Sequence, residues 1–176
     1  ITDHILIGGG IFNTYLAAKK YKVGDSLVDE EMKSQMLSYG LRKKIVKPLD
    51  VVVGEKSGKR VRVVDIQDRP HEVCKAGEAI LDIGPKTIQL FATYIKSAQT
   101  LVWNGALGYF EQKPYDTGTR AIARLIASRS QGQAYGVIGG GETIQTMDMV
   151  GMTDMIDFVS TGGGAMLTFL AGEKLP

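Results

Sequence analysis

The sequence predicts an α/β fold: doubly wound, with a mainly parallel sheet and helices on both faces, a Rossmann-like three-layer sandwich. Two observations carry this. Short apolar runs alternate with segments of helical period, the order that builds a parallel sheet. Three glycine triplets, Gly8-Gly9-Gly10, Gly139-Gly140-Gly141 and Gly162-Gly163-Gly164, each follow an apolar run and precede a helical segment.

The elements follow in chain order. Residues 4–7 form a short apolar strand, and residues 12–21, with Tyr15 and Leu16, a helix. A second helix spans 29–44, with Met32, Met36 and Leu37 at helical spacing. Its acidic start, Asp29-Glu30-Glu31, and basic end, Arg42-Lys43-Lys44, both complement the helix dipole. A strand at 49–53 is bracketed by Pro48 and Gly54, and a turn with Ser57-Gly58 at its tip leads to a strand at 61–65. After a looser stretch come a strand at 79–81, a helix at 87–98 and a strand at 100–103. A helix at 117–130 carries Ile122, Leu125 and Ile126 on its apolar side, and strands at 135–138 and 158–159 precede the last two triplets.

Composition bounds the function. With 176 residues, 44% hydrophobic and 23% charged, the chain suits one soluble domain, residues 1–176. It lacks an initiator Met and a signal peptide, and reads as a fragment or processed piece. The longest apolar runs fall short of a membrane span. A balance of 21 basic and 19 acidic residues does not point to nucleic acid. The lone Cys74 suits a reducing, cytoplasmic setting, and His4, His71 and Cys74 have no zinc spacing. The expected partners therefore exclude nucleic acid and membrane.

A strand that ends in glycines and opens a helix suits phosphate. The helix N-terminus offers unpaired N–H donors and partial positive charge, and glycine lets an anion approach the backbone. Each triplet can also be only a tight connection. Two common fingerprints are absent. Asn13, Ile144 and Leu167 stand where a dinucleotide fold would have its third glycine, and no glycine precedes a P-loop Lys. Asn104, after a strand, reads either as a polar group in a site or as a turn residue. Glu111 reads either as a carboxylate for ribose hydroxyls or as a solvated loop residue. Asp82 either lies at the strand edge or caps the helix beginning near Lys86. Ser160 and Thr161 lack a nearby His for a nucleophilic pair, and Met147, Met149, Met152 and Met155 read as packing residues.

Taken in order, Ile7-Gly8-Gly9-Gly10, Leu81-Asp82-Ile83-Gly84-Pro85, Trp103-Asn104-Gly105, Phe110-Glu111, Ile138-Gly139-Gly140-Gly141 and Ser160-Thr161-Gly162-Gly163-Gly164-Ala165 resemble the C-terminal domain of phosphoglycerate kinase. Val23-Gly24, Ser26-Leu27, Pro48 with Asp50-Val51-Val52-Val53, and the closing Gly172-Glu173-Lys174-Leu175-Pro176 extend the resemblance over essentially the whole chain. It implies a two-domain glycolytic kinase that moves a phosphoryl group between 1,3-bisphosphoglycerate and ADP, with ATP/ADP and Mg2+ bound on this half. The phosphoglycerate-binding N-terminal domain is then the partner.

By position, the resemblance implies that Gly8, Gly9 and Gly10 line the nucleotide pocket and that Leu81 and Gly84 flank the adenine. Asn104 lies near ribose and phosphates, with Tyr109 in the pocket and Glu111 on the ribose. Gly140, Gly141, Glu142 and Thr143 face the phosphates, with Glu142 on the metal. Gly162, Gly163 and Gly164 cradle the phosphoryl group in flight. Three positions depart from the family's pattern: Glu142 stands for an Asp, Ala106 for a Pro, and Tyr109 for a small apolar residue. The chain also begins after the family's phosphate-facing lysine and stops before its C-terminal tail. Alone it is expected to bind nucleotide without turnover. A catalytically silent nucleotide-binding module is the alternative; an unrelated dehydrogenase is disfavoured by the missing fingerprint.

Overall fold

Val51, Val52 and Val53 are β-branched residues in a row, and they form the centre of a three-stranded sheet. The computed structural model describes residues 2–40, 43–68 and 71–175. They divide into two units, Ile1–Phe91 with Leu107–Thr119, and Ala92–Ala106 with Arg120–Pro176. The α/β class holds, with parallel pairing in both units and one antiparallel sheet.

In the first unit, β1 (Ile5–Leu6) pairs in parallel with β2 (Ile45–Val46). Strand β3 (Asp50–Gly54) lies between β4 (Arg62–Asp65) and β5 (Ala79–Ile83), antiparallel to both, with Val52 opposite Val63 on one side and Asp82 on the other. The turn expected at 55–60 closes the β3–β4 hairpin: the Glu55 N–H donates to Lys59 O, and the Glu55 carboxylate accepts from Arg60 at 2.5 Å. Helix α1 (Gly9–Ala18) buries Phe12 and Leu16 against Val51, Val53, Val73 and Ile80. Each such side chain contributes about 1.5–3 kcal/mol.

The helix expected at 29–44 is shorter. Helix α2 is Lys33–Gly40, and residues 29–32 form a turn in which the Asp29 carboxylate accepts the Met32 N–H at 3.0 Å. Arg42, assigned to its basic end, lies outside the described residues. Ile45 and Val46, beyond that end, form β2.

Helix α3 (Pro85–Ser97) is capped by Asp50, not by Asp82. Asp50 accepts the N–H groups of Lys86 at 3.0 Å and Thr87 at 2.8 Å, and the Thr87 hydroxyl at 2.7 Å. Asp82 instead holds the start of α4 (Thr117–Ser130), accepting the Gly118 N–H at 2.6 Å and the Ile83 N–H at 2.9 Å. A Cβ on Gly108 or Gly118 would stand 2.5 Å from the Asp82 Oδ1, so glycine at both is required by close approach.

In the second unit, β6 (Thr100–Asn104), β7 (Tyr135–Gly139) and β8 (Phe158–Ser160) are parallel, in that order. Asn104 pairs with Gly139, and Gly139 with Ser160, so the three strands end in register. Helices α5 (Gly141–Val150) and α6 (Gly163–Leu170) follow β7 and β8. Met147 is fully buried, as a packing residue should be. No described helix is long and apolar enough to cross a membrane.

Burial pushes the Asp82 carboxyl up to about 7, against the N–H donors of Gly118, Ile83 and Thr119; the neighbouring Asp116 charge adds to the rise. The folded chain therefore holds a proton that the unfolded chain releases near 3.8. This contribution to stability is complete below that value, declines as pH rises, and is lost by about pH 7. It amounts to about 1.4 kcal/mol for each unit of pKa difference. Urea unfolding at pH 4.5 and 7.5 checks it with Asp82→Asn. The stability of the parent relative to the variant should be lower at pH 7.5; an equal difference at both values refutes the shift.

Candidate functional site

The registered ends of β6, β7 and β8 place Asn104 beside two glycine triplets. This happens at the carboxyl edge of a parallel sheet, where open α/β folds take ligands. Gly140 is the N-cap of α5 with φ +88°, a left-handed conformation that suits glycine, and Gly162 is the N-cap of α6. No side chain caps either helix. Both N-termini thus present their first-turn backbone without a competing carboxylate or hydroxyl cap.

A Cβ on Gly163 would stand 2.6 Å from the Gly140 Cα, 2.7 Å from its N and 2.8 Å from the Asn104 Oδ1. The two loops therefore touch backbone to backbone under the Asn104 amide. Gly141 and Gly164 differ, since a Cβ on either meets nothing within 4 Å. Together with Gly105, Glu142, Thr143 and Thr161, these residues line a cleft of about 330 Å³.

The sequence-predicted residues of this unit are brought together: Asn104, Gly140, Gly141, Glu142, Thr143, Gly163 and Gly164 all line the one cleft. Gly162 sits at its edge as the α6 cap. Their roles are not equal. The Thr143 side chain is buried, and its Oγ1 accepts the Gly105 N–H at 2.7 Å, which ties the α5 start to the loop after β6. Glu142 is exposed in the first turn of α5 and is the one carboxylate among the lining residues. Among the described residues, no group of three or more His, Cys, Asp or Glu could hold a metal ion. Thr161 and Gly105 also line the cleft and were not singled out from sequence; each adjoins a motif residue, which was the available signal.

The other predicted residues lie in the first unit. Gly8 caps α1 and packs against Leu107, while Gly9, at φ +51°, and Gly10 begin the helix without a side-chain cap. Leu81 is buried with Ala79 and Tyr115, and its carbonyl accepts the Tyr109 N–H at 2.7 Å. Gly84 follows β5 and donates to Asp50 O at 3.0 Å. Tyr109 and Glu111 are exposed, Glu111 in the turn beyond β6.

A parallel α/β unit with helix N-termini and glycine loops gathered at its carboxyl edge defines a protein of the open-sheet α/β class. The comparisons make this specific. The profile of the phosphoglycerate kinase family matches residues 1–173, and the chain belongs to that family. The phosphoglycerate kinase of Chloroflexus aurantiacus is 40% identical over 181 residues, covering 99% of this chain and 44% of that protein. The solved phosphoglycerate kinase of Coxiella burnetii is 36% identical with a TM-score of 0.83, and that of Pyrococcus horikoshii 31% identical with 0.77. Each structural match covers 99% of this chain and 44% of the other. The chain thus spans less than half the length of the relatives it matches.

The glycine geometry predicts an asymmetry in stability. Gly163→Ala should cost about 1–3 kcal/mol, since its methyl meets backbone that must move. Gly164→Ala should cost nothing and gain up to about 1 kcal/mol from helix propensity. Urea unfolding of the two variants checks this; equal effects would mean the loops do not touch.

Proposed function

We propose that this chain is the nucleotide-binding half of a phosphoglycerate kinase, one that interconverts 1,3-bisphosphoglycerate and ADP with 3-phosphoglycerate and ATP in glycolysis. The observation that carries the reading is the pair of uncapped helix N-termini meeting at Gly140 and Gly163 beside Asn104. Family membership supports it. Backbone N–H groups there can hold phosphate oxygens, and Gly141 and Gly164 leave room for the anion to reach them. Phosphoryl transfer needs little covalent help from protein; positioning and stabilisation of spread negative charge do most of the work.

In this reading the α5 start holds the phosphates of ADP or ATP, and the α6 start receives the phosphoryl group as charge spreads over its oxygens. The Asn104 amide lies against both loops. The Thr143 hydroxyl fixes the α5 start rather than reaching outward. A magnesium ion would neutralise phosphate charge. One carboxylate is too few to bind a bare cation, but Glu142 suits a magnesium that arrives on phosphates and keeps its own waters. Gly8, Gly9, Gly10, Leu81, Gly84, Tyr109 and Glu111 are proposed as contacts of the nucleoside, Glu111 with the ribose. Phosphoglycerate would bind on a separate N-terminal half, the proposed partner, in a cytoplasmic enzyme.

Three measurements follow from this reading. Calorimetric titration should show Mg-ADP binding to the 176-residue chain, and an assay with 1,3-bisphosphoglycerate should show no enzyme-dependent ATP formation by the chain alone. Sustained turnover would overturn the half-enzyme reading; absent ADP binding would overturn the nucleotide reading. For the metal, Glu142→Gln should reduce the magnesium-dependent gain in ADP affinity roughly 10-fold, with Glu142→Asp retaining it. Identical magnesium dependence in all three proteins removes Glu142 from the metal. For the ribose, Glu111→Gln should weaken ADP and GDP alike by about 1–3 kcal/mol; unchanged affinity for both makes Glu111 a surface carboxylate.

A further inference from the structure

A second cleft lies in the first unit and shares no residue with the glycine cleft. Its volume is about 610 Å³, within the ~300–1,000 Å³ usual for small-molecule sites. Helix α1 supplies Phe12 and Tyr15, and Lys19 caps its C-terminus; Tyr21 follows, and Lys47 and Pro48 precede β3. Phe12 and Tyr15 are stacked, with ring centroids 6.2 Å apart and planes 21° from parallel. Two ammonium groups flank the Tyr15 ring, Lys47 at 5.2 Å and Lys19 at 6.0 Å from its centroid. No described carboxylate lines the cleft.

We propose that this cleft binds a small aromatic organic anion, a one- or two-ring body bearing a single carboxylate or sulfonate. Its body lies against Tyr21, Pro48 and Ile66, which line the cleft beside Tyr15, where apolar surface leaves water. Its charge meets Lys19 and Lys47. Cation–π contact with Tyr15 already gathers both ammonium groups at the cleft, so less side-chain freedom is lost on binding than for solvated lysines. Charge selects the class: cations are repelled, and a neutral aromatic has the apolar contact alone.

Naphthalene-2-sulfonate is a suitable probe, with naphthalene-2-sulfonamide as its neutral counterpart. In the parent chain, the sulfonate should bind saturably and shift the NMR signals of Tyr15, Lys19 and Lys47, while the sulfonamide binds at least 10-fold more weakly. The Lys19→Gln/Lys47→Gln double variant should lose at least 10-fold in affinity for the sulfonate and little for the sulfonamide. Mg-ADP should leave sulfonate binding unchanged. The proposal falls if the parent shows no saturable shifts at these residues, if the sulfonamide binds as well as the sulfonate, or if the double variant, folded by circular dichroism, binds the sulfonate like the parent. It also falls if Mg-ADP displaces the probe, which would place it at the nucleotide site. The parent NMR arm does not depend on the variant folding.

Discussion

Two loops of the second unit touch where neither has a side chain, and the cleft depends on that contact. Gly163 stands so close to Gly140 that a Cβ on the former would meet the Cα of the latter at 2.6 Å. Parallel register brings the loops there, because Asn104, Gly139 and Ser160 end their strands together. The left-handed φ of Gly140 then turns the chain directly into α5. Two helix N-termini in one small cleft each contribute roughly half a positive charge. A side chain at Gly163 would push the loops apart and separate these charges. Gly141 and Gly164 carry the other half of the arrangement, since they leave the space that a ligand can enter. One motif thus does two jobs with different glycines.

Two helix starts within the first unit are fixed by a different device. Asp50 and Asp82 stand on neighbouring strands, and each reaches a helix that begins 35 residues further along. Burial of a carboxylate is costly unless N–H donors surround it. Asp50 receives two backbone N–H groups and a hydroxyl. Asp82 has the N–H groups of Gly118, Ile83 and Thr119 about it and Asp116 nearby, and there burial outweighs the donors and raises its pKa. Glu78 shows the opposite balance. The Lys75 N–H and then the Arg62 guanidinium hold its carboxyl below the usual range despite burial. Between Asp82 and Glu78 the sign of the nearest charge separates the two outcomes, a carboxylate beside the first and a guanidinium beside the second.

Much of this was legible in the sequence, and the failures have identifiable causes. Helix 117–130 was read to its ends because Ile122 and Ile126 lie on one face and turn residues bound it. The helix at 29–44 was overextended because charges at both ends mimic a dipole-matched helix, while a local Asp29 turn delays its start to Lys33. A two-residue strand such as Ile45–Val46 has no period to detect and exists only through its pairing with β1. Asp82 was weighed as a cap for the helix next to it; the cap from Asp50 is a tertiary contact with no local sequence signal. In the site, the triplets and Asn104 were evident from composition and order. Which glycine faces open space and which faces another backbone depends on loop packing, and so does the turn of the Thr143 hydroxyl toward Gly105.

Glu142 gives the cleft its selectivity on the proposed reading. Two helix termini alone would favour any anion, including free phosphate. A carboxylate in the first turn of α5 opposes that, because its full charge is comparable with the two half charges and sits among the same glycines. An unaccompanied anion therefore meets attraction and repulsion of similar size. A phosphate chain that carries magnesium would not, since Glu142 would hold the cation and the backbone N–H groups the phosphate oxygens. On that reading the carboxylate and the glycine loops would act together, the loops on the phosphate oxygens and Glu142 on the metal that comes with them. Such an arrangement favours a metal-bound polyphosphate over either ion alone, and it follows from placing one negative side chain at the mouth of two positive helix ends.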